Sequence, residues 1–377
     1  MAVEDPPNIL FVFADDQCYE TIHALGNDEI ETPNLDKLVH SGLTFTNTYN
    51  MGAWNGAVCI ASRAMLNTGR FLWRADAKQK VLKQELAEGR FWAQYLQRAG
   101  YETYMTGKWH VPVDAGRAFM HATNVRPGMP NQTAAGYHRP PAEGDDPWKP
   151  WDTHFEAFGK GGVHWSEELA ADAATYLAQA AKSEKPILIN LAVNAPHDPR
   201  QSPRAFVEKY PLDKVKIPEN YLPDYPDKEA IGAGKNLRDE KLAPWPRTHH
   251  AVKVHRPEYD ALITHMDAQI GKILAALEES GKADNTYIFF TADHGLAVGH
   301  HGLMGKQNMY EHSLRPPMIV TGPTIPKNQR ISARVYLQDI MPTTLELAGV
   351  TAAEHVEFRS LLPLIHGERD QQYAAIY

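Results

Sequence analysis

Two short apolar runs end abruptly in charged side chains: NILFVFADD, whose Ile9–Phe13 stretch runs into Asp15 and Asp16, and TYIFFTADHG, which runs into Asp293 and His294. A short continuous run of β-prone apolar residues suits a strand covered on both faces, as in the middle of a parallel sheet. Adjacent carboxylates at the end of such a strand repel each other and both ionise only with a cation nearby. One acidic pair alone would more often cap a helix or sit in solvent. A second cluster in the same topological position points to a hard divalent ion held by oxygen ligands, calcium or magnesium in kind.

The rest of the chain alternates strand and helix. Thr32 and Pro33 open a helix that Gly42 stops. LTFTNTY reads as β, ASRAMLNTGR as a short helix and FWAQYLQRAG as another ending at Gly100. YETYMTGKWH and PILINLAV read as strands that break into loops, MIVTGP as a short strand and LQDIMPTTLELAG as a helix. WSEELAADAATYLAQAAKS is a helix with Ser166, Glu167 and Glu168 at its start. From Pro257 onward, Leu262, Ile263, Met266, Ile270, Ile273, Leu274 and Leu277 form an apolar stripe of helical period. Polar clusters recur just past strand ends, at Asp15/Asp16, Lys108/His110, His197 and Asp293/His294, the edge where open α/β sheets bind ligands. Proline concentrates in residues 127–150 and 196–257, which read as two loop insertions around that edge.

Composition narrows the function classes. The 377 residues carry a net charge of −8, with 43% hydrophobic and 22% charged residues, an ordinary globular balance without the basic footprint of a nucleic-acid binder. The longest purely apolar run, ILFVFA, is too short to span a bilayer, so a transmembrane segment is not expected. Two cysteines, Cys18 and Cys59, cannot make a disulfide scaffold, and 18 histidines beside them suit oxygen and nitrogen chemistry better than a thiolate metal site. No repeat or low-complexity tract is present, and the oligomeric state is left open.

The most specific string is CIASRAMLNTGR, Cys59 to Arg70. A cysteine at a loop-to-helix junction faces free backbone N–H groups and the positive end of the helix dipole, and Arg63 one turn later can neutralise an oxyanion on the same side. The competing readings are a buried structural cysteine or a bridge to Cys18.

Cys-x-Ala-x-Arg followed by Leu-x-Thr-Gly-Arg resembles the signature of the type I sulfatases of the alkaline phosphatase superfamily, with Ala61 where proline is usual. NILFVFADDQ, TPNLDKLVHSGLTFTNTY, YETYMTGKWH, NAPHDP, MDAQIGKILAALEESGKADNTYIFFTADHG and GKQNMYEHSLRPPMIV follow in the family's order. The resemblance implies an α/β fold with a central mixed, largely parallel sheet flanked by helices. It implies that a formylglycine-generating maturation enzyme converts Cys59 to Cα-formylglycine. The metal ligands it implies are Asp15, Asp16, Asp293, His294 and the modified Cys59, with one Ca2+ per chain, or Mg2+ or Mn2+. Many members have Asn where this chain has His294. Arg63 matches the brace of the formylglycine, Lys108 and His110 the pair beside it, and His197 and Lys306 the pair that grips the sulfate and leaving group. The family mechanism implies that one hydroxyl of the hydrated aldehyde attacks sulfur and the alcohol leaves with a proton from His197 or Lys306. The second hydroxyl then loses its proton to His110, which expels sulfate.

On the same basis, residues 1–360 are expected to form the catalytic domain with loop insertions near 112–162 and 198–256, and 361–377 to begin a C-terminal subdomain that is otherwise missing. The expected partner is a sulfated saccharide, because Trp148, Trp151 and Trp245 in the insertions suit sugar stacking. An exported, periplasmic or secreted location follows, with its signal absent from this chain. Two other readings share these residues: a phosphodiesterase or phosphonate monoester hydrolase of the same superfamily, and a non-catalytic relic that binds sulfated glycans. His300, His301, His312 and the His249/His250 pair are left as structural, although His300 or His301 could line the pocket.

Overall fold

The computed structural model describes residues 5–53, 56–78, 82–128, 134–140, 144, 146–159 and 161–377. The strands are β1 (Asn8–Ala14), β2 (Leu43–Tyr49), β3 (Glu102–Lys108), β4 (His121–Arg126), β5 (Ile187–Ala192), β6 (Thr286–Ala292), β7 (Met318–Thr321) and β8 (Gln329–Tyr336). They form one sheet in the order β4-β3-β5-β1-β6-β7-β2-β8. Only β7 runs against its neighbours, β6 and β2; every other pairing is parallel. This is the mixed, largely parallel sheet expected from the sequence.

β1 and β6 lie side by side at its centre, with Ala14 in register with Ala292. All seven residues of β1 are buried, because alternate side chains enter two separate cores. Ile9, Phe11 and Phe13 pack with Phe45, Leu66, Trp92, Phe289 and Met341 on one face. Leu10, Val12 and Ala14 pack on the other with Leu35, Leu177, Ile263, Met266 and Ile270. Burial on both faces explains why these strands lack alternation, and parallel register explains why their terminal acids meet.

Helices flank both faces at the expected places: Pro33–Ser41, Cys59–Thr68, Trp92–Arg98, Trp165–Ala180, His249–Glu279 and Ile340–Leu347. Three starts differ from the sequence reading. Thr32 does not cap its helix; Asp267 on His249–Glu279 accepts from Asn34 N and Leu35 N instead, a tertiary substitute for a local cap. The cap of Trp165–Ala180 is His164, whose Nδ1 accepts from Ser166 N, not Ser166. The long helix begins at His249 rather than Pro257, capped by Thr248. Proline within it forgoes one N–H bond, and the buried turn of Ala251, Val252, Val254 and His255 before it makes that loss tolerable.

The insertions are not wholly loop. The first carries β4, which pairs with β3; its residues 129–133, 141–143, 145 and 160 lie outside the described residues. The second carries short turns and the start of the long helix. Tyr373, near the end of the chain, donates to Asp339 Oδ1 at 2.6 Å and packs on Tyr336.

Gly107 sits at φ +93° in β3, one residue before Lys108, and a Cβ there would lie 2.0 Å from Ala192 O of β5. Gly107→Ala is therefore expected to cost about 2–4 kcal/mol in urea unfolding, through backbone strain and a clash that β5 cannot relieve.

Candidate active site

Four strand ends and one helix N-terminus converge on Cys59. The parallel pairing of β1 and β6 brings Asp15 and Asp16 beside Asp293 and His294, and Asp16 N donates to Asp293 Oδ1 at 3.2 Å. Asp16 has φ +73° and His110 φ +49°. Both are left-handed conformations that cost a non-glycine residue energy, and here they re-aim side chains just past a strand. Cys59 is the first residue of its helix. Its Sγ lies 3.4 Å from Asp15 Oδ1, 3.4 Å from Lys108 Nζ, 3.5 Å from Lys306 Nζ and 3.3 Å from His294 Nε2.

The charges interlock. Lys108 Nζ is bonded to Asp15. Arg63 Nε donates to Asp293 Oδ2 at 3.1 Å and its Nη1 to Lys108 O at 2.6 Å, with the guanidinium over the Phe13 ring. Lys306 Nζ lies 2.8 and 2.7 Å from the two Asp16 oxygens and 2.8 Å from His197 Nε2. The His197 Nδ1 lies 3.0 Å from Asp198 O. If that nitrogen carries the ring proton, Nε2 is left to accept from Lys306.

The three aspartates are fully buried, and their protonation follows from which cations reach them. Burial, the largest influence, raises the Asp15 carboxyl, but Lys108, His197 and Arg63 together bring the net shift down. Asp293 is likewise lowered against burial, by His294, Arg63 and Lys108. Asp16 goes the other way: burial pushes it well up despite Lys306 and His294. Burial lowers the His294 imidazole, yet Asp293, Cys59 and Asp16 bring it up to about 9. Burial, then Lys108 and Arg63, push His110 down to about 4, and its buried Nδ1 has no hydrogen-bond partner among the described residues.

Ligand atoms of Asp16, Cys59, Asp293 and His294 all lie within 4.8 Å of one another, as do those of Asp15, Asp16, Cys59 and His197. A buried carboxylate that stays hard to ionise with a lysine already on it is what a divalent ion would relieve. The oxygen-rich donor set therefore fits a hard cation.

All ten residues singled out in the sequence thus lie in this neighbourhood, with His110 placed two residues beyond Lys108. Cys18 and Cys59 are both free thiols, so the bridge does not form; Cys18 Sγ bonds Leu296 O at 2.9 Å. His300 is taken by Glu20, and His301 packs on Tyr310 and Tyr225. Trp148 cannot stack on a sugar: it is 4% exposed, lying flat on Phe155 with Arg139 against its other side. Trp151 and Trp245 are half-buried and already carry Lys149 and Arg204, and Arg247, Lys228 and Lys235.

The sequence reading missed Asp239 and Glu240. Glu240 is fully buried and accepts from Met304 N, from Gly305 N at 2.8 Å and from Arg247 Nη2 at 2.7 Å. Asp239 accepts from Gln307 Nε2 at 3.0 Å. Together they grip both flanks of Lys306. In sequence they belong to the charged run RDEK in a proline-rich insertion, which reads as a solvated face; no local signal marks them. Glu240→Gln leaves buried Arg247 without its counter-charge and is expected to cost about 3–5 kcal/mol, measured by chemical denaturation.

A model of the sulfatase family matches residues 7–350. An arylsulfatase of Clostridium perfringens is 27% identical over 95% of this chain and 78% of its own length. An N-acetylglucosamine-6-O-sulfatase of Bacteroides thetaiotaomicron is 24% identical over 98% of this chain and 74% of its own. Two solved structures share the fold. One is a phosphonate monoester hydrolase from Silicibacter pomeroyi, with TM-score 0.73 and 23% identity over 96% of this chain and 77% of that one. The other, in complex with its substrate D-glucosamine-2-N,6-O-disulfate, has TM-score 0.71 and 22% identity over 99% and 82%. The chain belongs to the sulfatase family of the alkaline phosphatase superfamily, a family of sulfuric ester hydrolases that use a metal and a cysteine-derived formylglycine.

Proposed function

We propose that this sulfatase hydrolyses a sulfate ester on a saccharide, with Cys59 as the precursor of Cα-formylglycine and a divalent ion, calcium first, held by Asp15, Asp16, Asp293, His294 and residue 59. One observation carries the reading. Cys59 is buried at a helix N-terminus with Lys108, Lys306 and His294 within 3.5 Å of its sulfur, a setting built for negative charge on whatever residue 59 becomes.

Formylglycine at residue 59 would supply, as its hydrate, two hydroxyls for attack on sulfur and release of sulfate, and a divalent ion held by Asp15, Asp16, Asp293 and His294 would supply Lewis acidity at the sulfate oxygens. The remaining work falls to this chain's side chains. Lys108 and Lys306 face the oxyanion, and Arg63 holds Asp293 and the Lys108 carbonyl in place. The Lys306–His197 pair, 2.8 Å apart, can pass a proton to the departing alcohol oxygen. His110, whose Nδ1 has no hydrogen-bond partner among the described residues, would take the proton of the second hydroxyl.

The saccharide assignment draws on the relative named N-acetylglucosamine-6-O-sulfatase and on the fold neighbour solved with a glucosamine disulfate. Action outside the cytoplasm draws on a 26% identical relative of Drosophila melanogaster described as an extracellular sulfatase; among the described residues no helix is long and apolar enough to cross a membrane. A second reading, phosphonate or phosphodiester hydrolysis, is favoured by the fold likeness to the phosphonate monoester hydrolase.

The deciding experiment uses protein co-expressed with a formylglycine-generating enzyme. The peptide containing residue 59 is expected to be lighter by about 18 Da than the thiol form. The protein should then turn over 4-nitrophenyl sulfate at least about tenfold faster, in kcat/KM, than a phosphonate monoester of the same phenol. The reverse preference would install the second reading; an intact thiol in an active enzyme would remove formylglycine from the mechanism.

A base must be neutral to act, and burial with Lys108 and Arg63 keeps His110 neutral down to about pH 4. The acid limb of kcat that belongs to His110 is therefore expected near pH 4 instead of the about 6.5 of a free imidazole. His110→Gln should lower kcat by about 10²–10⁴ and erase that limb, read from a pH–rate profile.

A further inference from the structure

The two insertions meet above the strand ends. His138 N donates to Lys241 O at 2.8 Å and Arg139 N to Leu242 O at 2.9 Å, so the two segments run side by side. Beside that contact opens a cavity of about 490 Å³ lined by Ala134, Tyr137, His138, Asn236, Arg238 and Lys241. It borders the catalytic cluster through Asp198. The Tyr137 hydroxyl donates to Asp198 Oδ2 at 3.4 Å and Arg238 Nη2 lies 3.8 Å from Asp198 Oδ1. The Asp198 carbonyl is the partner of His197 Nδ1.

Residues Asp239–Leu242 form a single 3-10 turn that follows Arg238. Side chains three apart on such a turn eclipse one another, which puts Arg238 and Lys241 on one face, the cavity, while Asp239 and Glu240 are fully buried beneath. Asp198 and Asp239 match the charge of Arg238. Among the described residues Lys241 has no carboxylate partner and the lining contains no acid. The cavity bordered by Glu31 and Lys209 is different, because there acid and lysine neutralise each other. Among the described residues the first cavity is thus left with an uncompensated cation, and Asp198 links it to the His197–Lys306 pair.

We propose that this cavity receives a second oxyanion of the substrate, a sulfate or a carboxylate on the sugar adjoining the one whose ester is cleaved, with Lys241 and Arg238 as its specificity-determining contacts. The proposal rests on the saccharide reading above. One face of the turn would then read the substrate while the other face holds Lys306.

The test compares three monosaccharide-extended substrates that share the cleaved ester: a disaccharide with a neutral second ring, one with a uronate there, and one with a second sulfate. The wild type is expected to prefer one or both anionic forms in kcat/KM, and the preference should weaken as salt rises. Lys241→Ala should cut the anionic-to-neutral ratio about three- to tenfold, mainly through KM, and Lys241→Glu should cut it further. Whether the uronate or the disulfate responds identifies the anion. Lys241 is exposed, so both variants are expected to fold, which circular dichroism checks. A ratio unchanged in both variants, or no anionic preference in the wild type, overturns the subsite and leaves saccharide hydrolysis standing. Turnover of 4-nitrophenyl sulfate with none of the three disaccharides removes the saccharide reading itself, and the subsite with it.

Discussion

Three carboxylates buried without any solvent exposure, at the ends of two adjacent parallel strands, are the constraint on which the rest of this structure depends. Asp15, Asp16 and Asp293 lose their hydration entirely, a penalty of several kcal/mol for each ion unless charge of the opposite sign is brought to it. The chain brings that charge from separate places: Arg63 from a helix, Lys108 from the end of β3, Lys306 from a loop beyond β6, and His294 from beside Asp293. No one of these elements can shift without uncovering a buried charge. The same arrangement suits the proposed chemistry, because cations fixed around Cys59 would need no reorganisation as charge moved on a bound sulfate.

The strands that carry the site are those nearest the centre of the sheet. β1, β6, β5 and β3 are parallel neighbours, and each delivers site residues past its C-terminal end. The insertions add a second layer of support. The long helix holds the first insertion through Glu258, which binds Arg139, and reaches the His197 loop through His255, whose Nδ1 accepts from Arg200. The second insertion clamps the Lys306 loop through Glu240. Segments that read as loop insertions therefore also set the position of two site side chains.

Much of the site was legible because its signals are local. Apolar strands that stop at acids, a cysteine and arginine one helical turn apart, and lysine and histidine just past β3 each declare themselves within a few residues. The strands were found for the same reason, apart from β4 and β8. β4 has mostly exposed side chains and β8 alternates at an edge of the sheet, so neither shows the continuous apolar run that marks β1. The misread details are those in which a distant group replaced a local one. Asp267 stands in for a Thr32 cap, His164 for Ser166, and the packing of Val252 and Val254 carries a helix through Pro257. Trp148 looked available to a ligand because its partners, Phe155 and Arg139, are not adjacent to it in sequence.

By itself, the sequence determined the α/β class, the central strands, the ten residues that gather around Cys59 and the family, since hydrophobic pattern and short motifs are properties of contiguous residues. Tertiary structure alone decided how the charges pair: Lys306 with Asp16, Lys108 with Asp15, Arg63 with Asp293. It also decided that Glu240 is a buried anchor, and that Arg238 and Lys241 share a face over an open cavity. The physical reason is the same in each case. Pairing, burial and the opening of a cavity depend on distance through space: the paired charges lie 290, 93 and 230 positions apart and meet only when β3, β5, β1 and β6 are laid side by side, and the two insertions meet only in the folded chain.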